Sequence, residues 1–205
     1  MLSNQGSGTD GQILAGIEWA VANGCRVISM SLGARVFRGQ RFSRTFEMVA
    51  QRALLQGTLI VAAAGNDSER RWGIISPVSH PANCPSIMAV AALTSDLKIA
   101  PFSNRGFDLN GGQIDIAGPG VDVFSTWPMP TRYRTISGTS MATPHVAGIA
   151  ALYAQVSGLT GSALWSMLTQ NARRLLIPAV DVGAGLVQAP SASNVARAAV
   201  ELEGR

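Results

Sequence analysis

The sequence has little of what several protein classes require. Its 205 residues hold two cysteines, Cys25 and Cys84, without the paired spacing of a zinc site. They read as buried small residues, and spacing alone does not decide whether they bridge. No apolar run approaches the roughly 18 residues of a membrane span. The opening MLSNQG has neither the basic start nor the apolar stretch of a secretory leader. Charged residues make up only 14% against 47% hydrophobic, which supports an ordered core and excludes wholesale disorder. Lysine is almost absent, Lys98 standing alone among arginines. Those arginines are scattered, with a loose group from Arg35 to Arg52 and pairs at Arg70-Arg71 and Arg173-Arg174. They read as a solvated basic surface, so no nucleic-acid partner is expected. Histidine is scarce too: only His80 and His145 are present.

What is present is a regular alternation of apolar patterns. Ile13, Ile17 and Val21 recur every fourth position, predicting a helix that Asp10 can cap and Asn23-Gly24 ends. Val27 to Met30 reads as a short buried strand. A second amphipathic helix is predicted over about 43–56, with Ser43 as cap and Gly57 as stop. Leu59 to Ala64 and Ile87 to Ala92 continue the strand series, followed by shorter β segments near 114–117 and 121–125. Helices are predicted over about 139–156 and 162–172, and the alanine-rich tail after about 190 can close with another. Helix and strand alternating at this spacing predict right-handed crossovers onto a parallel sheet. The fold class is α/β, in one domain.

The stretch from Ser137 to Gly148, SGTSMATPHVAG, places a serine at the start of a predicted helix. Unpaired backbone N–H groups and the positive helix end there can stabilise the oxyanion formed when Ser140 attacks a carbonyl. Pro144 is tolerated close to a helix start. A Ser/Thr-rich cap on a buried alanine helix explains the same residues equally well. Two further segments favour the chemical reading. Ala62 to Asn66 ends a strand on a glycine and an amide, at the carboxyl edge where α/β folds place their sites. The Ser29 to Gly33 segment ends another strand at that edge, where its backbone can pair with an extended peptide.

These pieces resemble the subtilisin family of serine endopeptidases (subtilases, peptidase family S8). The matching segments are GIEWAVANG (16–24), VISMSLG (27–33), VAAAGND (61–67), HPANCPSIMAVAA (80–92), FSNRG (102–106), IDIAGPGVDVFST (114–126) and SGTSMATPHVAGIAAL (137–152), with an echo in DVGAGLVQA (181–189). The resemblance implies a three-layer fold around a mostly parallel sheet. It implies Ser140 as nucleophile and Asn66 as oxyanion donor beside the Ser140 N–H. Ser31, Leu32 and Gly33 would form one wall of the pocket for the residue before the scissile bond. Ala64 and Gly65 would form the other, with Ser79 near the floor and Asp67 at the mouth. The His80-Pro81 bond falls where the family often has a cis proline. The expected substrate is a peptide or protein in extended conformation. No cofactor is required for the chemistry, and calcium is possible as a structural ion, held by the Asp115 carboxylate and carbonyls near Ala82 and Cys84. The resemblance also implies a secreted or periplasmic protein.

The family's mechanism needs a histidine base and an aspartate that orients it. Neither of the motifs that supply them occurs here, and the resemblance begins just before the first helix. The expectation is that the N-terminal strands, carrying both residues, lie upstream or on a second chain. A fragment, a split protease and a degraded gene all fit. His145, five positions after Ser140, would sit about 140° round the helix and roughly 7.5 Å along it. It reads as a packing residue; His80, in a loop beside the pocket, is not ruled out by helix geometry but is disfavoured as the base. Alone, the chain is expected to be nearly inactive. The rival reading is a non-catalytic pseudo-protease that binds extended peptides. An α/β-hydrolase is disfavoured, because Ala142 stands where its nucleophile elbow wants glycine and no strand is predicted to lead into Ser140.

Overall fold

A computed structural model of the chain describes residues 8–107 and 111–191. The expected helix in the alanine-rich tail lies outside them. Helix α1 (Asp10–Ala22) opens on a capping box. The Thr9 hydroxyl accepts from the Gln12 N–H, and the Gln12 side chain accepts from the Thr9 N–H. Thr9 is therefore the cap, and Asp10 is the first helical residue, where a carboxylate favours the positive helix end. Helix α2 (Arg44–Leu55) is capped by Ser43, as expected. Glycines at positive φ follow both helices, Gly24 at 71° and Gly57 at 90°, and turn the chain into the next strand.

Strands β1 (Val27–Met30), β2 (Leu59–Ala63), β3 (Met88–Leu93) and β4 (Ile116–Pro119) form a parallel sheet in the order β1-β2-β3-β4. Its register sets Met30 beside Ala62, Ala63 beside Val90 and Ala92 beside Gly118. Strands β5 (Val123–Thr126) and β6 (Tyr133–Ile136) make a separate antiparallel hairpin. Helices α3 (Thr139–Ser157), α4 (Gly161–Gln170) and the short α5 (Ala179–Val182) follow.

The sheet is buried on both faces because its side chains alternate between two helical layers. Ile60 and Ala62 pack with Ile17, Phe46 and Ala50 of α1 and α2. Leu59 and Val61 pack with Val146, Ala150 and Tyr153 of α3 and Leu164 of α4. This is the three-layer α/β arrangement. Glycine at 118 favours close packing: a Cβ there would lie 3.0 Å from the Ala142 carbonyl, so its absence lets the start of α3 lie against β4. At the other side of the sheet, β1 has no neighbour among the described residues. No described helix is long and apolar enough to cross a membrane.

Asp181 of α5 is 2% exposed and ties three segments together. It accepts from Arg70 Nη2 at 2.6 Å and from Arg105 Nε and Nη2 at 2.8 and 2.6 Å. Burial alone would push its carboxyl up, but the guanidinium hydrogen bonds of Arg105 and Arg70 outweigh that and hold it below the usual range. A depressed folded pKa stabilises above the unfolded value of about 4 and is lost as pH falls through the folded one. Asp181→Asn should lower stability at pH 7 by about 3 kcal/mol, since two guanidinium groups lose their counter-charge. The gap from the unsubstituted chain should close in denaturation curves taken progressively below about pH 4. A gap constant down to pH 2 would contradict this role.

Candidate active site

Ser140 is the second residue of α3, and its neighbours explain how it is presented. Strand β6 ends at Ile136, and the Gly138 N–H donates to the Gly120 carbonyl at 2.8 Å, anchoring the turn to the end of β4. A strand therefore does lead into the serine, contrary to expectation, although it belongs to the outlying hairpin and not to the central sheet. The Ser140 N–H has no hydrogen-bond partner among the described residues. Its hydroxyl donates to the Ser31 carbonyl at 3.4 Å, a long contact.

Pro144 is the sixth helical residue, further in than the sequence suggested. With no N–H, it cannot bond the carbonyl four residues back, which is that of Ser140. Ser31 Oγ donates to this freed carbonyl at 2.8 Å. The proline thus creates an acceptor that docks the end of β1 against the serine, a pairing the sequence reading did not anticipate.

Asn66 follows β2 and is exposed beside α3. Its Oδ1 accepts from the Thr139 N–H at 2.8 Å and from Thr139 Oγ1 at 2.9 Å. Thr139 Oγ1 in turn accepts from the Gly65 N–H at 3.1 Å, and the threonine is fully buried. With its oxygen engaged twice, the amide leaves Nδ2 free to donate into the cleft. Thr139 was not singled out from sequence; its place between a glycine and the serine was the available signal.

Ser140, Asn66, Ser31, Leu32, Gly33 and Gly65 line one cleft of about 620 Å³. Leu32 and Gly33 make no backbone hydrogen bonds among the described residues, which leaves an edge for an extended peptide. Gly65 is at φ 106°, and a Cβ there would collide with Ser79 Oγ and Asn104 Nδ2. Ser79 is 3% exposed at the cleft base. Ala64 is fully buried beneath the wall, its N–H bonded to Val90 and its carbonyl to Ser79, and its neighbours Ala63 and Gly65 line the cleft. Asp67 points inward, its Oδ2 accepting from Ser79 Oγ at 3.2 Å and Asn104 Nδ2 at 3.0 Å.

Neither histidine bonds the serine. His145 is exposed rather than packed, its Nδ1 2.7 Å from the Met141 carbonyl, beside the β5–β6 hairpin. His80 borders the Ser140 cleft, its ring edge-on to Phe46 at 4.4 Å, and the His80-Pro81 bond is cis. Its Nε2 is 3.9 Å from Asp10 Oδ1 and makes no hydrogen bond. Burial lowers its pKa, with Asp10 and the Asn83 side chain pulling the other way.

Asp115 lies apart, at a hollow of about 360 Å³ bordered by Ala82, Cys84 and Gln113. Its Oδ2 accepts from the Ala89 N–H at 2.7 Å, and burial pushes its carboxyl up to about 7. No group of three or more acidic, histidine or cysteine side chains surrounds a metal position among the described residues. One carboxylate with backbone oxygens nearby fits at most a weakly held, oxygen-liganded cation. Cys25 and Cys84 are both free thiols.

The subtilase family model matches residues 1–189. The chain is 39% identical over 176 residues to subtilisin DY of Bacillus licheniformis, covering 85% of this chain and 60% of that protein. It is 40% identical over 195 residues to a thermostable alkaline protease of Halalkalibacterium halodurans, covering 95% and 49%. Subtilisin E of Bacillus subtilis is 43% identical over 152 residues, covering 74% and 36%. Among solved structures, sphericase superposes with a TM-score of 0.78 at 32% identity, covering 93% of this chain and 67% of its own. The chain belongs to the subtilase family. It spans about half the length of these protein relatives.

Proposed function

We propose that the chain is the nucleophile-bearing part of a serine endopeptidase, completed by an upstream segment or second chain that carries the aspartate and histidine. The observation that carries this reading is the fixing of Asn66. Both Thr139 bonds take its oxygen, so Nδ2 donates beside the free Ser140 N–H. Those two donors suit the oxyanion of a tetrahedral intermediate. In the completed enzyme, Ser140 Oγ attacks the scissile carbonyl and passes its proton to the supplied imidazole. That imidazole then protonates the leaving amine, and water releases the acyl group from Ser140. The substrate lies extended along Leu32 and Gly33, with the side chain before the scissile bond directed towards Ser79 and Asp67. A basic side chain there would meet the Asp67 carboxylate. A secreted or periplasmic setting belongs to this reading through the family resemblance.

Acid-quenched mass spectrometry during turnover of an activated ester tests the route. An acyl adduct on the peptide containing Ser140, absent in Ser140→Ala, is expected. Peptide binding without any adduct in the completed protein would favour a non-catalytic binder.

Asp115 and the Ala82 and Cys84 carbonyls are the groups that would hold calcium, whose contribution would be structural. Millimolar calcium should then raise the melting midpoint by a few degrees, and Asp115→Asn should abolish the rise. An equal rise in the variant would place the ion elsewhere.

A further inference from the structure

Beyond the cleft, the chain runs on through ARVFRGQRFSR, residues 34–44. Arg35, Arg38, Arg41 and Arg44 recur at every third position, and no acidic residue occurs between Arg26 and Phe46. Sequence spacing suggested a diffuse basic surface, but the fold collects these side chains. Arg35 borders the Ser140 cleft, while Arg38, Arg41 and Arg44 border an adjoining hollow of about 610 Å³. The two linings meet along the chain at Arg35 and Val36, next to the bridge between Ala34 and His80, which exchange hydrogen bonds of 2.8 and 3.0 Å. Aromatic rings position two of the cations: Arg38 Cζ lies 4.2 Å from the Phe107 centroid and Arg35 Cζ 5.4 Å from that of Phe37. All four arginines are exposed, and none forms an ion pair among the described residues. The described lining of the hollow includes no carboxylate.

We infer that this arginine strap is an exosite for an acidic stretch of the protein substrate, on the N-terminal side of the scissile bond. The inference rests on the protease reading above, which fixes where the peptide enters. Ser31 touches Ser140, and Leu32, Gly33, Ala34 and Arg35 lead away from it in order. A peptide paired residue for residue along this edge reaches Arg35 from about its fifth residue before the bond. Carboxylates beyond that point meet guanidinium groups with a fork geometry suited to them. A nucleic acid would also meet the charge, but a pocket continuous with a peptide edge favours a peptide.

Fluorescence anisotropy on the full 205-residue chain reads the inference directly. Two labelled peptides share an uncharged C-terminal tetrapeptide and differ in the preceding tetrad, four glutamates or four glutamines. The glutamate peptide should bind ~10-fold tighter at low salt, and the preference should vanish at about 1 M salt. Arg38→Gln with Arg41→Gln should reduce the ratio to near one and leave the glutamine peptide unaffected. Equal affinities in the unsubstituted chain, or a preference that survives the double substitution, would overturn the exosite. Tighter binding of oligothymidylate than of the glutamate peptide would overturn it in favour of nucleic acid. If the glutamine peptide still binds while the preference is absent, the exosite fails and the protease reading stands. If only the glutamate peptide binds, and through the arginines, the continuity with the cleft is wrong.

Discussion

Joined to a segment that carries the subtilase aspartate and histidine, the chain should hydrolyse a chromogenic peptide about 10⁵- to 10⁶-fold faster than alone. The reason lies in what Ser140 touches. Among the described residues its hydroxyl hydrogen-bonds only to the Ser31 carbonyl, at 3.4 Å, and a carbonyl accepts a hydrogen bond without removing a proton. Of the two histidines, His145 is held at the Met141 carbonyl and His80 faces Asp10 and Phe46. A nucleophile and its base act as a unit, so nearly the whole effect of the pair is absent until the imidazole arrives. Initial rates with and without the segment, against Ser140→Ala as baseline, measure the gain. Comparable rates in both preparations would mean that the chain contains its own base.

In the completed enzyme, Asn66→Ala should lower kcat by roughly 10² to 10³ with little change in KM. In the proposed mechanism the Nδ2 donor meets the developing negative charge, so its contribution is largest in the transition state. Thr139→Val should produce a smaller fall of about tenfold, because the Thr139 N–H still holds Asn66 Oδ1 after the hydroxyl bond is lost. Thr139→Ser should restore most of it. A KM rise at constant kcat in Asn66→Ala would instead make Asn66 a substrate-binding group.

The central elements were legible because their apolar patterns are strong. Strands β2 and β3 are continuous apolar runs, and α1 and α2 end at glycines that take positive φ. Strand β6 was not legible: Tyr133, Arg134 and Thr135 are exposed, so no burial alternation marks them, and the strand exists by pairing with β5. At the site, Ser140 and Asn66 were visible through motif and strand end. Thr139 was hidden, since its role depends on the Gly65-Asn66 turn meeting the start of α3 at one buried hydroxyl. The Ser31 bond was hidden for a similar reason, because it links residues 109 positions apart through a carbonyl that Pro144 leaves open. The inward turn of Asp67 required knowing that Asn104 lies across from it.

The most direct measurement is intact-mass labelling with a fluorophosphonate, comparing the chain alone, the completed protein and Ser140→Ala. Slow or absent labelling of the folded chain alone, and rapid stoichiometric labelling on completion that Ser140→Ala abolishes, is the expected result. Rapid labelling of Ser140 in the chain alone would contradict a base supplied from elsewhere and would direct attention to His80 and Asp10.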